Sequence, residues 1–242
     1  RSLRAIRFSN KLNFKIDNLV KDAIYDKGHL LSGISNARLF DEFCKIFLNG
    51  MGEKNFEKLC SFHLNKYLIL SDPNRNDFAS NVMTHALRNT DDRVKNQQSI
   101  TPGFLMAALL WPSLLKKCSK NGEINVRKFF RSMDGVLREQ QKITAIPRKF
   151  SSYIKDIWVL QLKLHSRIGS QPYKTLRHPR FRAAYDFLLV RERASGDKSG
   201  IGKWWTDFQK NDDSLRGTII AEMNEKSDEE SAKIFGFYNE LR

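Results

Sequence analysis

The first residues of the chain carry arginines at a spacing that could bind an anion. Arg1, Arg4 and Arg7 recur every third residue, while Leu3 and Ile6 share another side of the segment. On a helix, this spacing spreads the three guanidinium groups over an arc of roughly one face. Guanidinium groups bind phosphates and base edges through paired hydrogen bonds. The segment therefore predicts a nucleotide-binding face, with a solvated basic helix face as the alternative.

A second candidate site lies in the C-terminal half, where arginines alternate with aromatic residues. Phe181 and Tyr185 fall within the arginine-rich run 177–193, and Trp204 and Trp205 follow it. Proteins that bind single-stranded RNA typically use basic side chains to contact the phosphates and aromatic rings to stack on the bases. We interpret the rings as core and the cations as RNA contacts. The predicted RNA-binding residues are Arg148, Lys149, Arg177, Arg180, Arg182, Arg191, Arg193 and Lys203.

Carboxylates and metal ligands, in contrast, are not arranged for catalysis in this sequence. Two-metal nucleotidyl transfer requires clustered carboxylates, but Asp91 and Asp92 are adjacent and would point to opposite faces of a strand. The acidic run 228–230 lies in a polar tail, and Cys60 and His63 lack the second pair that a zinc site needs. We predict no catalytic residue and no metal site in this chain, which alone should be inactive.

Charge and composition favour a polyanionic partner. The 242 residues carry a net charge of +15, and residues 121–210 hold 19 Lys and Arg against 8 Asp and Glu, a net +11. Such a balance suits nucleic acid or an anionic membrane. The longest apolar run, 104–115, is too short to span a bilayer, so we expect no membrane partner. Three widely spaced cysteines favour a reducing compartment and a cytoplasmic protein.

The elements that must position these residues are helical in pattern nearly throughout. Ser35 is a candidate cap for a helix with an apolar stripe at Leu39 and Phe43, and Thr101 for a helix that opens with Pro102. A helix is predicted over 126–143, and Ser151 or Ser152 should cap the next one. Turn signals fall at 71–74 and 121–122, and no strand pair is predicted.

This pattern predicts an all-α fold with four regions. A multi-helix neck occupies 1–70, a helical body 71–120 and a basic helical RNA-binding region 121–210. The last region, 211–242, carries 4 basic against 8 acidic residues. We expect this acidic tail to be either disordered or a late helix.

Several segments also resemble a known family. The opening R-x-L-R-A-x-R-F, followed by Leu12-Asn13-Phe14, resembles the class II nucleotidyltransferases, which comprise bacterial poly(A) polymerases and CCA-adding enzymes. The segments 34–42, 101–112, 146–150 and 178–189, the last followed by Trp204-Trp205, resemble the poly(A) polymerases in particular. The resemblance extends from Arg1 to about Gln209. The Glu and Asp that precede the first arginine in the family motif are absent, so we expect the chain to lack the catalytic head.

The resemblance implies a function for the full-length protein. It would add AMP from ATP to RNA 3′ ends, with Mg²⁺ as the metal, and so promote RNA decay; this chain alone would bind neither cofactor. Arg1 would read the base of the nucleotide, while Arg4 and Arg38 would hold the pocket wall, with Ser35 and Arg38 stabilising the neck. We expect single-stranded RNA 3′ ends and RNA-decay proteins as partners of a monomer. The alternatives are a CCA-adding tRNA nucleotidyltransferase and a stand-alone, non-enzymatic RNA-binding module.

Overall fold

Helices account for most of the chain in a computed structural model that describes residues 1–70, 77–120, 123–124, 126–197 and 199–225. The α-helices are α1 Ser2–Lys11, α2 Asn18–Lys27, α3 Asn36–Phe47, α4 Gly52–Ser61, α5 Asp77–Lys95, α6 Pro102–Cys118, α7 Val126–Ile143, α8 Arg148–Leu164, α9 Gln171–Leu176, α10 Phe181–Ser195, α11 Ile201–Lys210 and α12 Asp213–Glu225. Two 3₁₀ segments, Gly28–Gly33 and Asn65–Tyr67, complete the helical part. The predicted all-α fold class is confirmed.

One short strand pair departs from the expectation of none. β1 Ser119–Lys120 pairs antiparallel with β2 Glu123–Ile124, with Ser119 opposite Ile124. Two-residue strands are too short to produce the alternating pattern by which a strand is recognised in sequence. The turn signals at 71–74 and 121–122 lie outside the described residues.

Helices α1, α3 and α4 pack on one another through the apolar residues that their spacing indicates. Leu3 and Ile6 of α1 are buried, as are Leu39 and Phe43 of α3. Ser35 occupies the N-cap position of α3 as predicted, but its side chain makes no capping hydrogen bond. The α3 helix therefore depends on its buried stripe, which is the usual source of helix stability in a folded protein.

The start of α4 is fixed by a carboxylate from another helix. Asp91 of α5 accepts hydrogen bonds from the backbone N–H groups of Gly52 at 2.7 Å and Glu53 at 3.0 Å. These are the groups that a helix leaves without partners at its first turn. Burial raises the pKa of Asp91, while the two N–H groups act in the opposite direction. This residue, considered in sequence as a possible catalytic group, thus connects α4 to α5.

Helix α6 forms the centre of the fold and packs against α5, α7 and α8. Its cap is the predicted one, because Phe104 N–H donates to Thr101 Oγ1 at 3.1 Å. Residues 105–111 are all fully buried. The indole N–H of Trp158 on α8 donates to the carbonyl of Ala107 at 2.9 Å, so a polar bond crosses the core between two helices.

Helix α8 begins earlier than the sequence pattern suggested. Its first residue is Arg148, after Pro147 at the N-cap position, and not the residue that follows Ser151 or Ser152. Pro147 itself has an extended backbone at the N-cap position, so the helix begins at the next residue. As a result, Arg148 and Lys149 belong to the first turn of α8.

The buried apolar residues form two clusters. The larger one extends from Leu3 to Ala194 and so contains residues of the three regions predicted over 1–70, 71–120 and 121–210. The smaller one joins α8, α10 and α11 around Trp205, whose indole N–H donates to the carbonyl of Leu164 at 2.8 Å. Helix α12 gives helical structure to 213–225, the start of the predicted tail region. No helix within the described ranges has both the length and the apolar composition that a membrane crossing requires.

Candidate nucleic-acid interface

The N-terminal arginines lie on the outer side of α1. Leu3 and Ile6 face the core, whereas Arg1 and Arg4 are exposed. Arg7 is half-buried, and its guanidinium lies 5.0 Å from the centre of the Phe8 ring. The amphipathic arrangement expected from the spacing is therefore present, with Arg7 less exposed than Arg1 and Arg4.

Arg38 is exposed on α3, the neighbour of α1. The assignment of Arg1, Arg4 and Arg38 to nucleotide binding stays a prediction.

The aromatic residues of the C-terminal half are mainly core residues. Phe181, Tyr185 and Trp205 are buried, and Trp204 is half-buried with its ring 4.8 Å from that of Phe208. They belong to the smaller apolar cluster together with α11. Our interpretation of these rings as packing residues is confirmed for the three that are buried.

Arg191 corrects the set of predicted RNA contacts. It is 0% exposed, its Nη1 donates to Gln161 Oε1 at 2.9 Å, and its guanidinium lies 4.8 Å from the centre of the Trp111 ring. The reason is helical geometry: Arg191 follows the buried Phe187 by four residues and therefore shares its face of α10. A side chain in this position cannot bind RNA in the folded protein.

The other predicted cations are exposed and form two groups. Arg193 and Lys203 lie near the end of α10 and the start of α11. The second group lies at the starts of α8 and α10 and consists of Arg148, Lys149, Arg177, Arg180 and Arg182. Thirteen residues separate Arg180 from Arg193, which corresponds to roughly 20 Å along a helix. The exposed cations of the run 177–193 therefore fall into two groups, one at each end of α10.

Arg193 has cationic neighbours from α5. Burial lowers the pKa of His85, and the nearby charges of Arg88 and Arg193 lower it further. Arg88 is itself paired with Glu53 at 2.6 Å. This end of α10 is thus positive, but one of its cations is already engaged with a carboxylate.

The cations at the start of α10 border a pocket of about 180 Å³. Its walls come from α5, α6, α8 and α10 and include Asn89, Arg93, Tyr153, Arg180, Arg182 and Asp186. We call this cavity the Arg93 pocket. It brings the predicted residues Arg180 and Arg182 together with Arg93, which sequence reasoning did not select.

Hydrogen bonds fix the arginines of this pocket. The largely buried Asp186 lies 3.1 Å from Arg182 Nε and 3.4 Å from Arg93 Nη1. Arg93 Nε also donates to the carbonyl of Ser99 at 3.1 Å. Because Asp186 is four residues after Arg182, that pair could have been recognised from its spacing. Arg93 gave no local signal, since only the packing of α5 on α10 brings it to the site.

The third arginine rests on an aromatic ring. The guanidinium of Arg180 lies 4.7 Å from the centre of the Tyr153 ring, a cation–π contact. The Tyr153 ring in turn lies against Gly103 of α6, where a β-carbon would come within 2.8 Å of Tyr153 Cδ1. Only glycine lets the ring approach α6 this closely. A helical scaffold with several convergent arginines defines a basic protein suited to phosphate-containing ligands.

Comparison with known proteins gives the family. Residues 13–74 match the model described as the probable RNA and SrmB-binding site of polymerase A, and residues 121–234 match the polymerase A arginine-rich C-terminus. The chain is 34% identical to poly(A) polymerase I of Escherichia coli O157:H7 over 220 residues, which cover 86% of this chain and 47% of the relative. With poly(A) polymerase I of Haemophilus influenzae it shares 34% identity over 232 residues, 92% of this chain and 51% of the relative.

A CCA-adding enzyme of Lactococcus lactis is more distant, at 28% identity over 194 residues, which cover 80% of this chain and 42% of that protein. The chain belongs to the polymerase A family. It spans about half the length of the curated relatives it matches. The resemblance to poly(A) polymerases that the motifs indicated is thereby confirmed.

Proposed function

We propose that this chain is the RNA-binding portion of a poly(A) polymerase. The whole protein would transfer AMP from ATP to the 3′ end of single-stranded RNA in the cytoplasm and so mark the RNA for decay. The observation that carries the proposal is the group of exposed cations at the starts of α8 and α10. It lies in the part of the chain that matches the arginine-rich C-terminus of the family.

The chemistry of transfer is assigned to residues outside this chain. Within the described ranges, no group of three or more His, Cys, Asp or Glu side chains could hold a metal ion. Mg²⁺, when bound in the whole enzyme, would stabilise charge on the phosphates of ATP. The described residues do not offer that donor set.

RNA binding by this surface would work through charge and helix geometry. Each phosphate that an arginine or lysine neutralises releases condensed counterions, which favours binding. The first turns of α8 and α10 add backbone N–H groups and the positive end of each helix dipole. A single strand can follow such a surface without a base sequence being read.

Three exposed arginines would bind the nucleotide: Arg1 and Arg4 of α1 and Arg38 of α3. We propose that Arg1 contacts the base of ATP, while Arg4 and Arg38 form part of the pocket wall. Because the proposed partner of Arg1 is the base of ATP and not an RNA phosphate, replacing Arg1 should leave RNA affinity nearly unchanged.

The salt dependence of RNA affinity tests the proposal. Replacement of Arg148, Lys149 and Arg177 together by alanine should make the plot of log affinity against log salt shallower by roughly 0.7 for each lost phosphate contact. The matched control replaces Lys116, Arg138 and Lys142, three exposed cations of α6 and α7. An equal change of slope in both triple variants would show that net charge, and not this surface, governs binding.

A second surface suits a protein partner. Apolar side chains are exposed around α2: Leu19 is 80% exposed, Phe14 64% and Leu30 59%. Exposed apolar patches of this kind commonly mark protein contacts. All three residues fall within 13–74, the range whose family description names SrmB. We propose that this patch binds SrmB and that the polymerase is otherwise a monomer.

Purified SrmB is the probe for this second surface. The double variant L19D/L30D should lose SrmB binding and keep the RNA affinity of the unchanged chain. L215D is the control, because Leu215 of α12 is also exposed, at 52%. Loss of SrmB binding in L215D alone would contradict the assignment of the patch.

A further inference from the structure

We propose that the Arg93 pocket binds one nucleotide unit of single-stranded RNA and favours a base that carries an exocyclic amino group. The phosphate would lie between Arg93, Arg180 and Arg182, and the base would reach Arg180 and Asn89. This inference rests on the proposed function and assigns to it a defined subsite.

The arginines are positioned before any ligand arrives. Asp186 binds Arg182 through Nε at 3.1 Å and Arg93 through Nη1 at 3.4 Å. Arg182 contacts the carboxylate through Nε, and its terminal NH₂ groups carry further donors that can bind a phosphate. Since the side chains are already held, less conformational freedom is lost when a ligand binds.

The charge of the pocket suits a phosphate, and its volume suits one part of a nucleotide unit. Among the pocket walls, Arg93, Arg180 and Arg182 outnumber the single carboxylate of Asp186. A buried water needs about 10–15 Å³ of such space, so the volume of about 180 Å³ holds on the order of a dozen water-sized groups. That is the scale of a base, or of a phosphate with its sugar.

A flat support for the base is present at Arg180. Its guanidinium lies over the Tyr153 ring, 4.7 Å from the ring centre, and the Arg180 side chain is exposed to solvent. The ring itself is backed by Gly103 of α6. Unpaired RNA bases stack on arginine planes as well as on aromatic rings. Gly103, the Tyr153 ring and the Arg180 guanidinium thus lie one against the next, and a base would stack on the exposed side of Arg180.

Asn89 gives the pocket its base preference. Its Oδ1 is buried and has no hydrogen-bond partner within the described part of the chain, although Asn89 lines the pocket. A buried acceptor without a donor is unfavourable, and the terminal amide torsion of asparagine is soft enough to turn toward a ligand. The exocyclic amino group of adenine, cytosine or guanine can donate to this oxygen, whereas uracil offers only its ring N3–H.

The experiment uses the whole chain with oligoadenylate, oligocytidylate and oligouridylate of equal length. Unchanged protein should bind the first two more tightly than the third. N89L removes the acceptor and should reduce this preference by roughly fivefold. R93Q should weaken all three and reduce the salt slope by roughly one phosphate contact, about 0.7.

Two matched controls lie on the same helix. N81L alters an exposed asparagine of α5, and R88Q alters the exposed arginine that pairs with Glu53. Both should keep the base preference and the salt slope. Thermal unfolding of each variant identifies any that fails to fold; N89A then replaces N89L, and R93M replaces R93Q.

The outcomes separate this inference from the proposed function. If the unchanged chain binds none of the RNAs, the proposed function itself is wrong. If it binds RNA and N89L and R93Q match their controls, RNA binding stands and the pocket assignment is overturned. Free AMP is the last probe: AMP binding that depends on Asn89 and Arg93 while RNA binding does not would make the pocket a mononucleotide site, which also overturns the inference.

Discussion

Gln161 and Arg191 hold each other in the interior, where neither side chain is exposed. Arg191 Nη1 donates to Gln161 Oε1 at 2.9 Å, and Gln161 Nε2 donates to the carbonyl of Ala184 at 3.0 Å. These bonds tie α8 to α10 through polar groups that cannot reach water. A buried polar pair of this kind is strongly unfavourable when one partner is lost.

Replacing Arg191 by alanine should therefore destabilise the fold. The variant leaves Gln161 Oε1 without its donor and opens a cavity beside Trp111. We expect the free energy of unfolding to fall by about 3 kcal/mol, measured by urea denaturation. R193A, two residues further on at the surface, should change it by less than about 0.5 kcal/mol. If R191A kept its stability but lost RNA binding, Arg191 would have to be an RNA contact and not a core residue.

Stability should depend on His165 at mildly acidic pH. Burial lowers the pKa of His165 from 6.5 to about 3, and the neighbouring Arg191 and Arg167 contribute in the same direction. Below pH 6.5 the unfolded chain takes up a proton that the folded protein does not, so stability falls with pH down to about pH 3.

The variant H165F lacks this proton uptake. Between pH 6.5 and pH 5 its free energy of unfolding should fall less steeply than that of the unchanged chain, by up to about 1.4 kcal/mol per pH unit. L164M perturbs the same core without removing a titrating group and should keep the original slope. Equal slopes in H165F and the unchanged chain would mean that His165 is protonated in the folded state.

Two glycine-to-alanine changes should have opposite effects. In G103A the new β-carbon would lie within 2.8 Å of Tyr153 Cδ1, so the ring must move, and we expect a loss of about 1–3 kcal/mol. Gly135, inside α7, has no atom within 4 Å of such a β-carbon. G135A should therefore be neutral or more stable by up to about 1 kcal/mol. Chemical denaturation of both variants checks the contrast.

The chain alone should not extend RNA. Within the described residues no group of three or more His, Cys, Asp or Glu side chains could hold a metal ion, and nucleotidyl transfer of this kind requires two bound cations. Incubation with ATP, Mg²⁺ and an RNA primer should leave the primer at its original length. An intact poly(A) polymerase I is the positive control, and clear tailing by this chain would refute the assignment of catalysis to other residues.

Local signals in the sequence were sufficient for much of the helical scaffold. Thr101 and Pro102 marked the start of α6 correctly, because a cap and a proline at the first helical position act on neighbouring backbone groups. The same reasoning placed the start of α8 too late. Ser151 and Ser152 are good capping types, but Pro147 sets the boundary by restricting the backbone.

The candidate site was less accessible from sequence, because tertiary packing assembles it. Arg182 and Asp186 are one helical turn apart and could be paired by spacing, whereas Arg93 is 93 positions away from Asp186. Arg191 was misassigned because it stands among arginines in the sequence, although its spacing from Phe187 places it on the buried face. Helical periodicity was the stronger signal at that position.

Asp91 and Arg93 stand two positions apart on α5 and make contacts with different parts of the protein. Asp91 holds the first turn of α4, and Arg93 reaches Asp186 at the border of the pocket. A single helical turn therefore acts as a shared anchor for the neck and for the pocket. Any tilt of that turn displaces both, so the position of α4, against which α1 packs, is mechanically coupled to the shape of the pocket.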